Sequence, residues 1–236
     1  MRERDGVGGG EKIKLDEEKS VTEETLVENK TLAVIRMIVG PYENSIYLVK
    51  DRLQGCCLLI DASAEESAIL EAVGKDRLVA IVLTHAHMDH TQALEGIRRK
   101  TGAPVGMHPQ EPGFSRLHPE ISLTEGQRVS AGAHELEILH TPGHTPGSIC
   151  FLLRPNLCFC GDAVFPGGPG KTGSPEAFLQ SVQSLESKIY TLPDDVRLLP
   201  GHGEGILVGD SRREYEIFRS RPRSKTPFGD VLWKES

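Results

Sequence analysis

One six-residue stretch of the sequence is dense in side chains that ligate metals. Residues 84–90 read Thr-His-Ala-His-Met-Asp-His, so His85, His87, Asp89 and His90 offer three imidazoles and a carboxylate. A loop of this kind can present alternate side chains to different sides of one centre, so His85 and His87 can bind one ion while Asp89 and His90 reach another. The imidazoles must be neutral to do so, which suits neutral pH. Three further donors stand alone: His144 in Thr-Pro-Gly-His-Thr-Pro-Gly, Asp162 in Cys-Gly-Asp, and His202 in Pro-Gly-His-Gly. Each taken singly reads as an ordinary loop residue. Glycine and proline fix sharp turns around all three, and polar groups at such turns serve function more often than packing.

Apolar, strand-sized runs lead into these donors. Strands are predicted over 32–39, 45–49 and 57–60, the last ending at Asp61. Residues 78–83 (LVAIVL) form a continuous apolar run, expected to be buried on both faces, that leads into Thr84-His85. Further strands are predicted over 105–108, 136–140, 148–153, 157–160 and 196–199. Helical spacing marks 63–73, 92–101, 174–192 (with Pro175 in its first turn) and 209–219. This interleaving predicts an α/β domain with helices covering sheets. Residues 1–30 are polar and are expected to form a flexible tail with one short helix over 20–28, leaving 31–236 as a single domain.

Composition narrows the function. Among 236 residues, 27 Lys and Arg stand against 34 Asp and Glu, a net charge of −7, which makes a poor partner for nucleic acid. No apolar run approaches the roughly 18 residues of a membrane span. Residues 1–10 are charged and glycine-rich, unlike a secretory signal. The five cysteines (Cys56, Cys57, Cys150, Cys158 and Cys160) lie in apolar runs and are expected to be buried, reduced thiols, which points to the cytoplasm.

The ordered set His85-x-His87-x-Asp89-His90, His144, Asp162 and His202 resembles the metallo-β-lactamase-fold superfamily. Residues 141–148 (Thr-Pro-Gly-His-Thr-Pro-Gly-Ser), Gly161-Asp162-Ala163-Val164-Phe165 and Pro200-Gly201-His202-Gly203 are similar to its glyoxalase II-like, hydroxyacylglutathione hydrolase-like branch. The resemblance spans residues 31–210. It implies an αββα sandwich with the site at the edge between two mixed sheets. It also implies that His85, His87 and His144 hold one divalent ion and that Asp89, His90 and His202 hold a second. Asp162 would bridge the two. Nitrogen and oxygen donors suit zinc first, with iron or manganese also compatible. The implied reaction is attack of a metal-bridging hydroxide, oriented by Asp89, on a thioester such as a glutathione conjugate.

Two departures from that branch stand out. Glyoxalase II enzymes carry a C-terminal helical domain, whereas 34 residues follow His202 here. Where the branch often reads Gly-Cys-Gly-Arg, this chain has residues 165–172, Phe-Pro-Gly-Gly-Pro-Gly-Lys-Thr, and Lys171 is the candidate anchor for a substrate carboxylate. The basic stretch 212–225 could attract an anionic substrate. Tyr42 and Asn44 are candidate rim or turn residues, while His108, His118, His134 and His140 match no ligand position. Alternative activities are a persulfide dioxygenase with one Fe(II) on His85, His144 and Asp162, or a lactonase or β-lactam-type hydrolase. Nuclease action is disfavoured by the charge. A purely structural role for the metals is disfavoured by seven donors, which exceed what a four-coordinate structural zinc needs. A homodimer is compatible with the sequence.

Overall fold

The apolar runs form two mixed sheets in a computed structural model, which describes residues 21–222 and 225–234. The first sheet runs in order through β1 (Thr22–Glu28), β2 (Leu32–Val39), β3 (Asn44–Asp51), β4 (Cys56–Ile60), β5 (Arg77–Val82), β6 (Val105–Met107) and β7 (Ile121–Ser122). Pairing is antiparallel from β1 to β4 and parallel from β4 to β7. The second sheet begins with β8 (Arg128–Ala131), β9 (His134–His140), β10 (Ile149–Leu153) and β11 (Leu157–Gly161). Next in the chain, β12 (Val164–Phe165) and β13 (Gly168–Pro169) make a separate hairpin. β11 then pairs parallel with β14 (Arg197–Pro200), which pairs antiparallel with β15 (Ile206–Leu207).

Three apolar layers hold the sheets and helices together. Between the sheets, Val34, Tyr47, Val49, Leu58 and Ile60 face Leu136, Ile138, Phe151, Phe159 and Leu199. Burying one such side chain contributes roughly 1.5–3 kcal/mol. Outside the first sheet lie helices α1 (Glu66–Val73), α2 (Leu94–Thr101) and α3 (Phe114–Leu117), which bury Ile69, Val73, Leu94, Ile97 and Leu117. Outside the second lie α4 (Pro175–Ser184) and α5 (Val208–Arg219), with Phe178, Tyr215 and Phe218 packed against Cys150, Cys158 and Cys160. The result is the αββα sandwich. Its strands β4, β5, β11 and β14 deliver their C-terminal ends, and the polar loops that follow, to one edge.

Residues 20–28 require a correction. The predicted helix, in a tail ending at residue 30, is instead β1, which adds to the sheet edge on β2 with one bulge between Thr25 and Val27. An exposed, charged strand of this kind shows little apolar periodicity of its own. Pairing with β2 decides its form, and its charges suit an edge. Residues 1–20 of that expected tail lie outside the described residues. The helix predicted over 174–192 stops at Ser184 and continues as a π-helical turn, Leu185–Ile189. It begins as expected, with Pro175 at the first turn and the Ser174 hydroxyl accepting from the Ala177 amide at 3.2 Å. All five cysteines are buried and free. No helix among the described residues is long and apolar enough to cross a membrane.

Candidate metal centre

The seven donors singled out in the sequence meet at the sandwich edge. Three groups each have ligand atoms within 4.8 Å of one another: His85, His87 and His144; His85, His90 and Asp162; and Asp89, His90 and His202. In the first group, Nδ1 of His87 lies 3.1 Å from Nε2 of His85 and 3.0 Å from Nε2 of His144. In the last group, Nε2 of His202 is 3.2 Å from Oδ2 of Asp89, and Nε2 of His90 is 3.7 Å from the same oxygen. Asp162 stands between the two: Oδ1 is 3.4 Å from His90, while Oδ2 is 3.7 Å from His144 and 3.9 Å from His202.

Supports behind the rings fix which nitrogen faces inward. Asp61 directly follows β4 and accepts from the Thr84 amide (2.8 Å) and, through Oδ2, from the Thr84 hydroxyl (2.8 Å) and His90 Nδ1 (2.9 Å). The Thr84 hydroxyl donates its one hydrogen to Asp61, so it accepts from Nδ1 of His85 at 3.1 Å. His144 Nδ1 donates to the Lys171 carbonyl at 2.8 Å, and His202 Nδ1 donates to the Tyr42 carbonyl at 3.0 Å. In each case Nε2 keeps a lone pair directed at the centre.

The loops are tied as closely as the rings. Glu111, 4% exposed, accepts from the Ala86 amide at 3.1 Å and from the Thr145 hydroxyl at 2.6 Å. One carboxylate thus braces the loop carrying His85 and His87 against the loop carrying His144. The His202 loop is held by the Ser45 amide on the Gly201 carbonyl (2.7 Å), the Tyr47 hydroxyl on the Pro200 carbonyl (2.6 Å) and buried Arg36 on the Gly203 carbonyl (2.5 Å). Glycine is required at 201, because a Cβ there would lie 2.5 Å from Asp162 Oδ1 and from His90 Cε1.

The arrangement fits a cation. His90 Nε2 and Asp162 Oδ1 are buried and make no hydrogen bond, although such atoms are costly to leave unpaired. Three imidazole lone pairs within 4.8 Å of one another also need a positive partner. Burial, with His90 beside it, holds His85 well below the ordinary imidazole pKa, and burial with His144 lowers His87. Burial opposes the charged form of His90 too, but without a cation the Asp61 and Asp162 carboxylates prevail and push its pKa up to about 10, so a cation bound there would displace the Nε2 proton and free that lone pair. Asp162 resists burial through its contact with His90 and is held below the usual carboxylate range, and Asp89 is lowered by His90 and the Asn44 amide.

Other candidate residues have different fates. Lys171 meets the centre through its carbonyl, and its exposed ammonium lies 3.8 Å from Asp230. Asn44 Nδ2 donates to Asp89 at 3.1 Å and lies 3.3 Å from His202 Nε2, whereas Tyr42, an exposed residue, contributes its carbonyl. His108 stacks on His140 with centroids 3.8 Å apart, and His134 bonds the Thr31 carbonyl. None of these three joins the donor set, nor does His118. Three of the six cations in the expected basic patch are matched by acids: Arg212 pairs with Asp194, Arg213 with Asp210, and Arg219 with Glu186 and Glu216. Sequence reasoning passed over Asp61, Thr84 and Glu111. The signal for Asp61 was a lone carboxylate ending an apolar strand. No local pattern marks Glu111.

Comparison with known proteins agrees with this geometry. Residues 39–202 match the family model of the metallo-beta-lactamase superfamily. The chain is 35% identical over 193 residues to the probable metallo-hydrolase YqgX of Bacillus subtilis, covering 71% of this chain and 89% of that one. It is 33% identical over 176 residues to a hydroxyacylglutathione hydrolase of Rhodospirillum rubrum, covering 71% of this chain and 65% of that one. Among solved structures, TTHA1623 in a di-iron-bound form is similar, with a TM-score of 0.62 and 30% identity over 75% of this chain and 96% of that one. A donor set converging at the edge of two mixed sheets and a family match spanning that set lead to one assignment: the chain belongs to the metallo-β-lactamase superfamily.

Proposed function

We propose that this chain is a binuclear metal-dependent hydrolase of activated acyl compounds, with thioesters as the first substrate class. The observation that carries the reading is the pair of donor groups joined at Asp162, with the supported imidazoles aiming lone pairs inward. Nitrogen and oxygen donors alone suit two zinc ions, or iron or manganese, and the buried thiols lie elsewhere. Cations held by these residues would lower the pKa of a bound water and polarise an acyl carbonyl.

The chain's own residues do the rest. Asp89, held ionised beside His90 and Asn44, is partly exposed and orients the attacking water. Exposed Met88 and Tyr42 border the centre and can pack against an acyl group. Lys171 can bind a carboxylate on the thiol carrier by exchanging its contact with Asp230. The names of the hydroxyacylglutathione hydrolase and the di-iron structure favour a thioester and two metals. Five free thiols favour a reducing compartment such as the cytoplasm.

The test is hydrolysis of S-D-lactoylglutathione by zinc- and iron-loaded protein, with Asp162→Ala as the control. The expected result is turnover of at least about 1 s⁻¹, lost in the control. Two bound metals with no turnover would overturn the glutathione-thioester reading. Oxygen consumption with glutathione persulfide, insensitive to His202→Ala, would replace it with the mononuclear dioxygenase, and ring opening of lactones would replace it with a lactonase.

A further inference from the structure

The loop that orients His144 is held from within by the short β12–β13 hairpin and by the Gly170 amide on the Ala163 carbonyl at 3.4 Å. Residues 166–174 read Pro-Gly-Gly-Pro-Gly-Lys-Thr-Gly-Ser, with four glycines in nine positions. Glycine-rich backbone loses the most conformational freedom on ordering, so such a loop needs outside contacts as well. Yet its Lys171 carbonyl must sit 2.8 Å from His144 Nδ1 to keep Nε2 aimed at the centre. A Cβ at Gly170 would collide with the Asp162 carbonyl, so substitution there cannot stiffen the loop.

The outside contacts come from the C-terminal segment. Gly229 and Thr172 form an isolated antiparallel bridge, with Thr172 N donating to the Gly229 carbonyl (3.1 Å) and Gly229 N to the Thr172 carbonyl (3.0 Å). Trp233 N donates to the Gly167 carbonyl at 2.6 Å. The Trp233 ring is fully buried, 4.4 Å from the ring of Phe218 and 5.3 Å from that of Tyr215. Glu214 of α5 completes the clamp by accepting from the Gly167 amide at 2.8 Å. This segment lies beyond residues 39–202, which match the family model.

We propose that the C-terminal segment, residues 229–233, is a positioning element of the metal centre, anchored by Trp233 and acting on His144 through the Gly229–Thr172 bridge and the Lys171 carbonyl. The proposal rests on His144 holding a cation. Coupling is then reciprocal: loading the His85, His87 and His144 group tightens the segment, and loosening the segment weakens that group.

Two measurements test it. In wild-type protein, hydrogen exchange at the Thr172 and Gly229 amides is expected to slow on zinc loading, and this slowing is expected to vanish in His144→Ala. Unchanged exchange on loading would overturn the proposal. In Gly229→Pro, the bridge loses a donor and the backbone φ of 87° becomes unreachable for proline. Chelator competition should then show one zinc held about 10-fold more weakly and the other unchanged. The emission of Trp233, the chain's one tryptophan, reports whether its anchor stays docked. Wild-type affinity for both zinc ions in Gly229→Pro would overturn the proposal. If His144→Ala also kept both ions, the ligand assignment itself would fail, which separates the two outcomes. Should Gly229→Pro not fold, the exchange experiment decides without it.

Discussion

Behind His144 stands a backbone carbonyl, that of Lys171 at 2.8 Å; behind His90 stands the buried carboxylate of Asp61 at 2.9 Å. The two donor groups differ at these imidazoles, although His202 of the second group also leans on a backbone carbonyl, that of Tyr42. His85, His87 and His144 are steadied by the neutral Thr84 hydroxyl, by loop backbone and by Glu111 from a distance. Asp89, His90 and His202 include a carboxylate of their own, and His90 leans on a second that is fixed at the end of β4. A carboxylate behind an imidazole raises its basicity as a ligand, whereas a carbonyl mainly orients it. The second group is therefore expected to hold its cation more tightly, and the first to depend more on how its loops are packed.

The comparison can be broken most severely at Asp162, which serves both groups. Asp162→Asn is expected to lower hydrolysis by more than ~100-fold, beyond the usual cost of losing a supporting residue, and to cost at least one bound metal. An intact metal count would show that the two groups are independent. Asp61→Asn comes next, because it places an amide N–H or a weaker acceptor opposite His90 Nδ1. Affinity of the second site should fall about 10- to 100-fold in chelator competition while the first site holds. Equal loss at both sites would mean that Asp61 acts through Thr84 and His85 instead.

Glu111→Ala tests the other side. It leaves the Ala86 amide and the Thr145 hydroxyl without their buried acceptor, which costs about 1–3 kcal/mol in denaturant unfolding. The first site should weaken about 10-fold, with the second unaffected. A last effect, confined to acid pH, concerns His108, stacked on His140, whose Nε2 bonds the Pro146 carbonyl in the His144 loop. Burial, with His140 and Lys188 nearby, pushes the His108 pKa down to about 4 from an ordinary 6.5. An unfolded chain then binds a proton more readily than the folded one, so stability falls as pH drops from 6.5 towards 4. Metal-free protein unfolded in urea across that range should show this slope, and His108→Phe should flatten it.

Both groups were legible in the sequence as donors, but what stands behind them was not. His85, His87, Asp89 and His90 announce themselves by density within six positions, and His144, Asp162 and His202 by glycine and proline turns after strands. Asp61 and Glu111 lie 24 and 26 residues from His85 and reach it through the fold, so no local period records them. The same limit explains β1. Long apolar runs such as 78–83 select their own state, whereas Thr22–Glu28 becomes a strand only because β2 offers an edge. It explains the C-terminal segment too, whose Gly229 pairs with Thr172 across 57 positions.

The most direct test of the two-group account is a metal count per chain by mass spectrometry on native protein, His144→Ala and His202→Ala after saturation with zinc and removal of loosely bound ions. The account predicts two, one and one. A single ion in native protein that survives His202→Ala unchanged would contradict it, leaving one site where two are claimed.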